Sequence, residues 1–119
     1  MIFVPISGKL TPSVSNTVVN LGDAAASTPG YNFWGYEIDN TAGAATVYLQ
    51  LFDVPASEVV LGTTAAKLVY AVQAGVARGF GFGPHIPFAR GLSGAVTSAP
   101  HTNGAPGSPC DVTIYHEAL

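Results

Sequence analysis

The sequence predicts an all-β fold, an antiparallel β-sandwich that is jelly-roll-like and built from about eight strands. Three observations predict it. Apolar and polar residues alternate with period two over short segments. Clusters of Gly, Pro, Asn, Asp and Ser separate those segments roughly every dozen residues. Helical periodicity is almost absent. The chain has 119 residues and is 48% hydrophobic, so size scaling allows about two-thirds of its unfolded surface to be buried without a metal or disulfide. Neither a linker nor a repeat of fixed period divides it, and one domain over residues 1–119 is expected.

The first expected strand, residues 2–6, is Ile-Phe-Val-Pro-Ile. An apolar terminus frays unless something covers it, so residues 1–6 are read as an edge strand or an arm in which Ile2, Phe3 and Val4 add to a neighbouring chain. A second strand is expected over 17–21. The segment 31–40 puts Asn32, Trp34, Tyr36 and Ile38 on one side and Phe33, Gly35, Glu37 and Asp39 on the other, and ends in the turn signal Asn40-Thr-Ala-Gly43. In 45–53, Val47, Leu49 and Leu51 share one face while Tyr48, Gln50 and Phe52 share the other, with both faces at least half covered. These two segments are expected to form an antiparallel hairpin. Further strands are read at 67–73, 76–82, 92–97 and 111–117. Residues 23–27 and 55–60 allow a helical turn or two. The Pro- and Gly-rich stretch 98–109 has almost no apolar side chain and reads as an exposed loop holding His101.

Charge is the most unusual number. Only 9% of residues are charged, against about a quarter in an ordinary domain, and the formal net charge is −3. That balance disfavours binding to phosphate backbones, which depends on releasing counterions with Lys and Arg, so no direct nucleic-acid partner is expected. Low charge with many aromatic and β-branched residues is also the reverse of a disordered composition. No stretch approaches the roughly 20 apolar residues of a membrane helix, and the apolar start lacks a basic leader. A soluble chain made without an export signal, and with no membrane partner, is expected. Its single cysteine, Cys110, cannot close an intramolecular disulfide.

Candidate chemistry is sparse. The segment Gly79-Phe-Gly-Phe-Gly83-Pro84 is glycine-rich, but it lacks the Gly-x-Gly-x-x-Gly spacing, and Pro84 falls where a phosphate-binding helix would begin. It reads as a strand with Phe80 and Phe82 on one face and glycines that let a neighbour approach. His85, His101, Cys110 and His116 resemble the ingredients of a blue-copper site. The only Met is Met1, however, and the six-residue spacing from Cys110 to His116 does not suit one tight ligand loop, so no metal is expected. His85, between Pro84 and Pro87, reads as shaping a bend. Glu37 and Asp39 share a strand face as a hydrolase pair would, yet solvated alternation beside a turn explains them. No nucleophile elbow occurs. The chain is read as no enzyme, with no cofactor and no catalytic residue.

The run from Tyr31 to Asp53, YNFWGYEIDNTAGAATVYLQLFD, resembles small β-sandwich virion proteins of tailed bacteriophages, whose pattern is a strand ending in an Asn-Thr-type turn, a Val-Tyr-Leu-x-Leu-Phe/Tyr-Asp strand and a variable Gly-Thr segment. Leu61-Gly-Thr-Thr64, the apolar strand 67–72, the Gly75 turn and Phe88-Ala-Arg-Gly-Leu92 continue the resemblance, which spans about residues 30 to 97. It implies a capsid decoration or cement protein without catalysis, on the outer surface of the virion. Such a protein would form a homo-oligomer, expected to be a homotrimer, and would bridge subunits of the major capsid protein. Candidate interface residues are Ile2, Phe3, Val4, Phe80, Phe82 and His101. The alternatives are a tail, neck or receptor-binding component, or a carbohydrate-binding module using Tyr31, Trp34, Tyr48 and Tyr70 as stacking platforms. In that last reading Trp34 shares a face with Tyr36 and Ile38, which favours a core position.

Overall fold

The computed structural model describes residues 16–21, 30–108 and 110–118; within these, the side chains of residues 80, 82, 83 and 118 are not described. Its strands are β1 (Val19–Asn20), β2 (Tyr31–Asp39), β3 (Val47–Phe52), β4 (Leu68–Val72), β5 (Ala77–Phe88), β6 (Ser93–Thr97) and β7 (Asp111–Ala118), with one 3-10 turn at Ala56–Glu58. They form two antiparallel sheets, one ordered β1-β6-β3-β4 and the other β5-β2-β7. The chain is an all-β antiparallel sandwich with seven strands among the described residues. It changes sheet between β1 and β2, between β2 and β3, and at every connection after β4, an alternation that jelly rolls share. The expected strand at 2–6, with Ile2, Phe3 and Val4, and the turn at 23–27 lie outside the described residues.

The expected hairpin between 31–40 and 45–53 is not formed. β2 pairs with β5 and β7, whereas β3 pairs with β4 and β6, so the two strands lie in opposite sheets. Alternation fixes which face is apolar but not which strand is the neighbour. Both strands are central in their sheets, and residues 40–46 arch across so that the apolar face of β2 meets that of β3. Asn40 holds the arch. Its buried carboxamide donates to the carbonyls of Ala45 (3.0 Å), Val72 (3.2 Å) and Gln73 (3.0 Å).

The core lies between the sheets. Tyr36, Ile38, Val112 and Ile114 from one sheet are buried with Val47, Leu49, Leu51, Val72 and Val96 from the other. Each such side chain contributes roughly 1.5–3 kcal/mol by leaving water. Aromatic rings bridge the layers: Tyr36 stacks on Tyr70 at 4.2 Å, and Phe33, edge-on to Phe88 in its own sheet at 5.8 Å, faces Tyr70 at 6.4 Å. Burial pushes the Tyr36 and Tyr70 hydroxyls above their ordinary pKa. The second face of β3 is covered as well. Gln50 is fully buried, donating to Thr97 Oγ1 (2.8 Å) and to the Thr102 carbonyl (3.2 Å). The segment 98–108 has no strand and is closed by a bond from Ser98 N to the Gly104 carbonyl. Its residues alternate between exposed His101 and Asn103 and buried Pro106.

Candidate interaction surface on the three-stranded sheet

Where β2 turns one face to the core, it turns the other to solvent, and a single irregularity decides which residues go where. The register shifts between Phe33 and Gly35 against both neighbours, making Trp34 the extra residue of a bulge. Tyr31 and Phe33 point inward before it, Tyr36 and Ile38 after it. Trp34 is therefore half-buried on the outer face and not in the core with Tyr36 and Ile38. On β5 the same shift sets residues 82–85 against one residue of β2. Pro84 lies in this stretch, and the His85 ring meets Trp34 with centroids 5.0 Å apart and planes tilted by 51°.

Three rows cross the outer face on the far side of the bulge, reading β7, β2, β5: Asp111, Asp39, Ala77; then Thr113, Glu37, Gly79; then Tyr115, Gly35, Gly81. Gly79 and Gly81 carry no side chain because β2 runs too close. A Cβ on Gly79 would meet the Tyr36 carbonyl at 3.1 Å, and one on Gly81 would meet Gly35 Cα and the Trp34 carbonyl at 3.1 Å. The result is an open trough of about 400 Å³ lined by Glu37, Asp39, Ala77, Gly79, Asp111 and Thr113, with Ile38 and Arg78. The Tyr115 hydroxyl bonds to Glu37, and its pKa is raised by partial burial, by that bond and by the Glu37 charge. Hydrogen bonds from the Thr41 hydroxyl and backbone hold the Asp39 carboxyl below its ordinary range.

Beyond the bulge, Glu117 Oε1 accepts from Asn32 Nδ2 (3.1 Å) and Trp34 Nε1 (3.2 Å). Four of the seven acidic residues of the chain thus lie on this face, with Arg78 as the base beside them among the described residues. The Arg78 guanidinium reaches over the sheet end to the Ala71 carbonyl. Lys67 and Arg90 lie elsewhere, paired with Asp53 and Glu58.

The other sequence candidates fall in separate places. His101 is exposed, with a left-handed φ of 57°, away from any strand. Phe80 lies opposite Tyr36 in the register and Phe82 in the shifted stretch; the expectation that their rings share a face lies outside the described side chains. Tyr31 is buried edge-on against His116 at 5.6 Å, and Tyr70 belongs to the core stack, so neither offers a platform. Tyr48 is half-buried on β3. Cys110 is buried, its sulfur directed at Asn40 Oδ1 at 3.7 Å. Among the described residues no three His, Cys, Asp or Glu side chains are grouped to hold a metal ion, nor is any helix long and apolar enough to cross a membrane. Sequence reasoning missed the grouping of Glu117 with Trp34 and Asn32, because the bulge that creates it carries no turn residue in β2 other than Gly35.

What the molecule is by class is an antiparallel β-sandwich with an acidic, glycine-floored outer face. No family model, curated protein or solved structure matches the chain.

Proposed function

We propose that the chain is a non-catalytic structural subunit of a tailed-phage particle, a decoration or cement protein. In this reading it assembles as a homotrimer on the outside of the head and bridges neighbouring major capsid protein subunits. The observation that carries the reading is the condition of the sheet edges. Open edges invite pairing with other chains, and monomeric proteins blunt them. Among the described residues, three of the four sheet edges are blunted: β1 has two residues, β4 has its Ala71 carbonyl taken by Arg78, and β5 carries Pro84 and Pro87 with the Pro87 carbonyl taken by Lys67. β7 is eight residues long, has neither Pro nor Lys, and pairs with β2 alone among the described residues. An edge of that kind suits strand addition by a neighbouring subunit, which supplies main-chain hydrogen bonds without needing charge. The resemblance over residues 30 to 97 supplies the virion setting.

Mass spectrometry of purified heads tests the reading. Hundreds of copies per particle, and heads that lose resistance to heat and low salt without the protein, are expected. Absence from heads would refute it, and a handful of copies would make the chain a tail, neck or receptor-binding component. A second reading, a carbohydrate-binding module, is favoured by the position of Trp34 outside the core. A glycan-array signal lost in a folded Trp34→Ala variant would support it.

A further inference from the structure

We propose that the outer face of the β5-β2-β7 sheet docks an extended, arginine- and lysine-rich segment of a partner protein. The inference deepens the assembly reading above, on which it rests for taking the partner to be a protein. Three features point to this occupant. The first is charge: Glu37, Asp39, Asp111 and Glu117 share the face, while Arg78 lies opposite inward-facing Ile38 and directs its guanidinium to the Ala71 carbonyl of the other sheet. Opposite charge across such a face steers and orients a partner. The second is spacing. Glu37 and Asp39 are two residues apart on one strand, about 7 Å, and Asp111 and Glu117 are six apart, about 20 Å. Asp39 and Asp111 sit side by side in one row, while Glu37 and Glu117 lie further along the strands; among the described residues no three acids converge, which suits successive cationic side chains on an extended peptide better than one metal ion. The third is shape. Ala77, Gly79 and Gly81 leave the β5 side of the trough bare, so a peptide backbone can lie low beside Glu37. At its end Trp34 and His85 present rings on which a guanidinium can stack.

The acidic face repels phosphate backbones and gains little from a neutral saccharide, whose hydroxyls bring no charge to four carboxylates. A partner strand has side chains alternating at period two. Only every second residue of the docked segment therefore needs to be basic.

The test uses the intact chain and a synthetic peptide of alternating Arg and Thr, with a Gln-Thr peptide as control. Trp34 is the only tryptophan, so its fluorescence reports binding at one end of the face, and amide shifts report the rest. Saturable binding is expected at low ionic strength, with shifts confined to Asn32–Asp39, Ala77–Gly81 and Asp111–Glu117. The affinity should fall steeply between about 0.05 and 0.3 M salt, as screening tightens. The double variant Glu37→Gln/Glu117→Gln keeps the hydrogen-bond acceptors for Tyr115, Asn32 and Trp34, so its melting temperature should hold. It should bind about tenfold more weakly, a loss of the size expected for two surface charges. Equal binding of the Gln-Thr peptide, unchanged affinity in the double variant, or shifts centred on Asp53 and Glu58 would each overturn the proposal. So would a neutral glycan that displaces the peptide from Trp34. All of these are read on the isolated chain, so they fail or succeed independently of its presence in heads.

Discussion

Replacing Asn40 by Ala should destabilise the sandwich more than any other single truncation of a polar side chain. The carboxamide is buried, and its two N–H hydrogens serve three carbonyls, of Ala45, Val72 and Gln73, so at least one hydrogen is shared in a three-centre bond. Its oxygen faces the Cys110 sulfur. Asn40→Ala strips those carbonyls of their donor while leaving them buried in part, at about 1–3 kcal/mol for each unsatisfied group. Counting two full bonds, the loss is about 2–4 kcal/mol. Unfolding entropy near 2.1 cal/mol/K per residue gives about 0.25 kcal/mol/K for 119 residues, so a 3 kcal/mol loss lowers Tm by about 12 °C. Urea titration followed by circular dichroism, with an unchanged m-value, measures it. Asn40→Asp should be worse at neutral pH, because it sets a carboxylate against three carbonyl oxygens. Its folded-state pKa is then raised, so the penalty grows as pH rises and shrinks in acid. A Cβ on Gly43 would collide with the Asn40 side-chain oxygen, so Gly43→Ala and Asn40→Ala should cost less together than their sum. An Asn40→Ala protein within about 0.5 kcal/mol of the parent, the range of an ordinary surface change, would refute the reasoning.

Three further outcomes are expected. Gly81→Ala pushes a methyl against Gly35 Cα and the Trp34 carbonyl and should cost about 1–3 kcal/mol in urea titration, as overpacking does. Lys67→Met removes the Nζ bond to the Pro87 carbonyl at 2.6 Å and the contact over the Phe88 ring; a loss of about 0.5–1.5 kcal/mol is expected. Little of that loss should depend on salt, since the partly exposed Asp53 pair contributes little. Burial, reinforced by the Asp39 and Asp111 charges, pushes the Cys110 thiol above its ordinary value of 9.0. The native chain should ignore a thiol reagent at pH 8 and react once unfolded, and the stability this thiol provides should fall as pH rises above 9.0 through the folded-state value.

Much of this architecture was legible in residue order. Val47, Leu49 and Leu51 alternate with Tyr48, Gln50 and Phe52, and both faces are covered, one by the opposite sheet and one by the 98–108 segment. What alternation could not supply was partnership. β2 and β3 are joined by a turn-rich segment that reads as a hairpin, but Asn40 donates both to Ala45 within it and to Val72 and Gln73 at the end of β4, which makes the segment an arch. Nor could a strict period of two survive the Trp34 bulge, which moves that ring from the core side to the outside. The same shift explains why β5 continues to Phe88: Pro84, which reads as ending the strand at 82, sits in its widened stretch, pairing resumes at Ile86, and Pro87 lies opposite Asn32.

The scarcity of charge becomes informative once the charges are placed. Two bases are held by Asp53 and Glu58 near the 3-10 turn, while four acids lie on one sheet face. β7 borders that face, and between Asp111 and Glu117 its one titratable basic side chain, His116, is buried, so no exposed charge marks the edge there. A neutral edge can accept a strand in several registers, since main-chain hydrogen bonds are alike along its length. A slip of one residue turns every side chain of the incoming strand over, and basic residues meant for Glu37 and Glu117 would then face away. The edge would thus provide affinity, and the acids beside it would provide register and orientation. Adding Lys at Thr113 should then weaken strand addition at β7 and peptide docking on the face together, whereas Glu37→Gln should weaken docking alone.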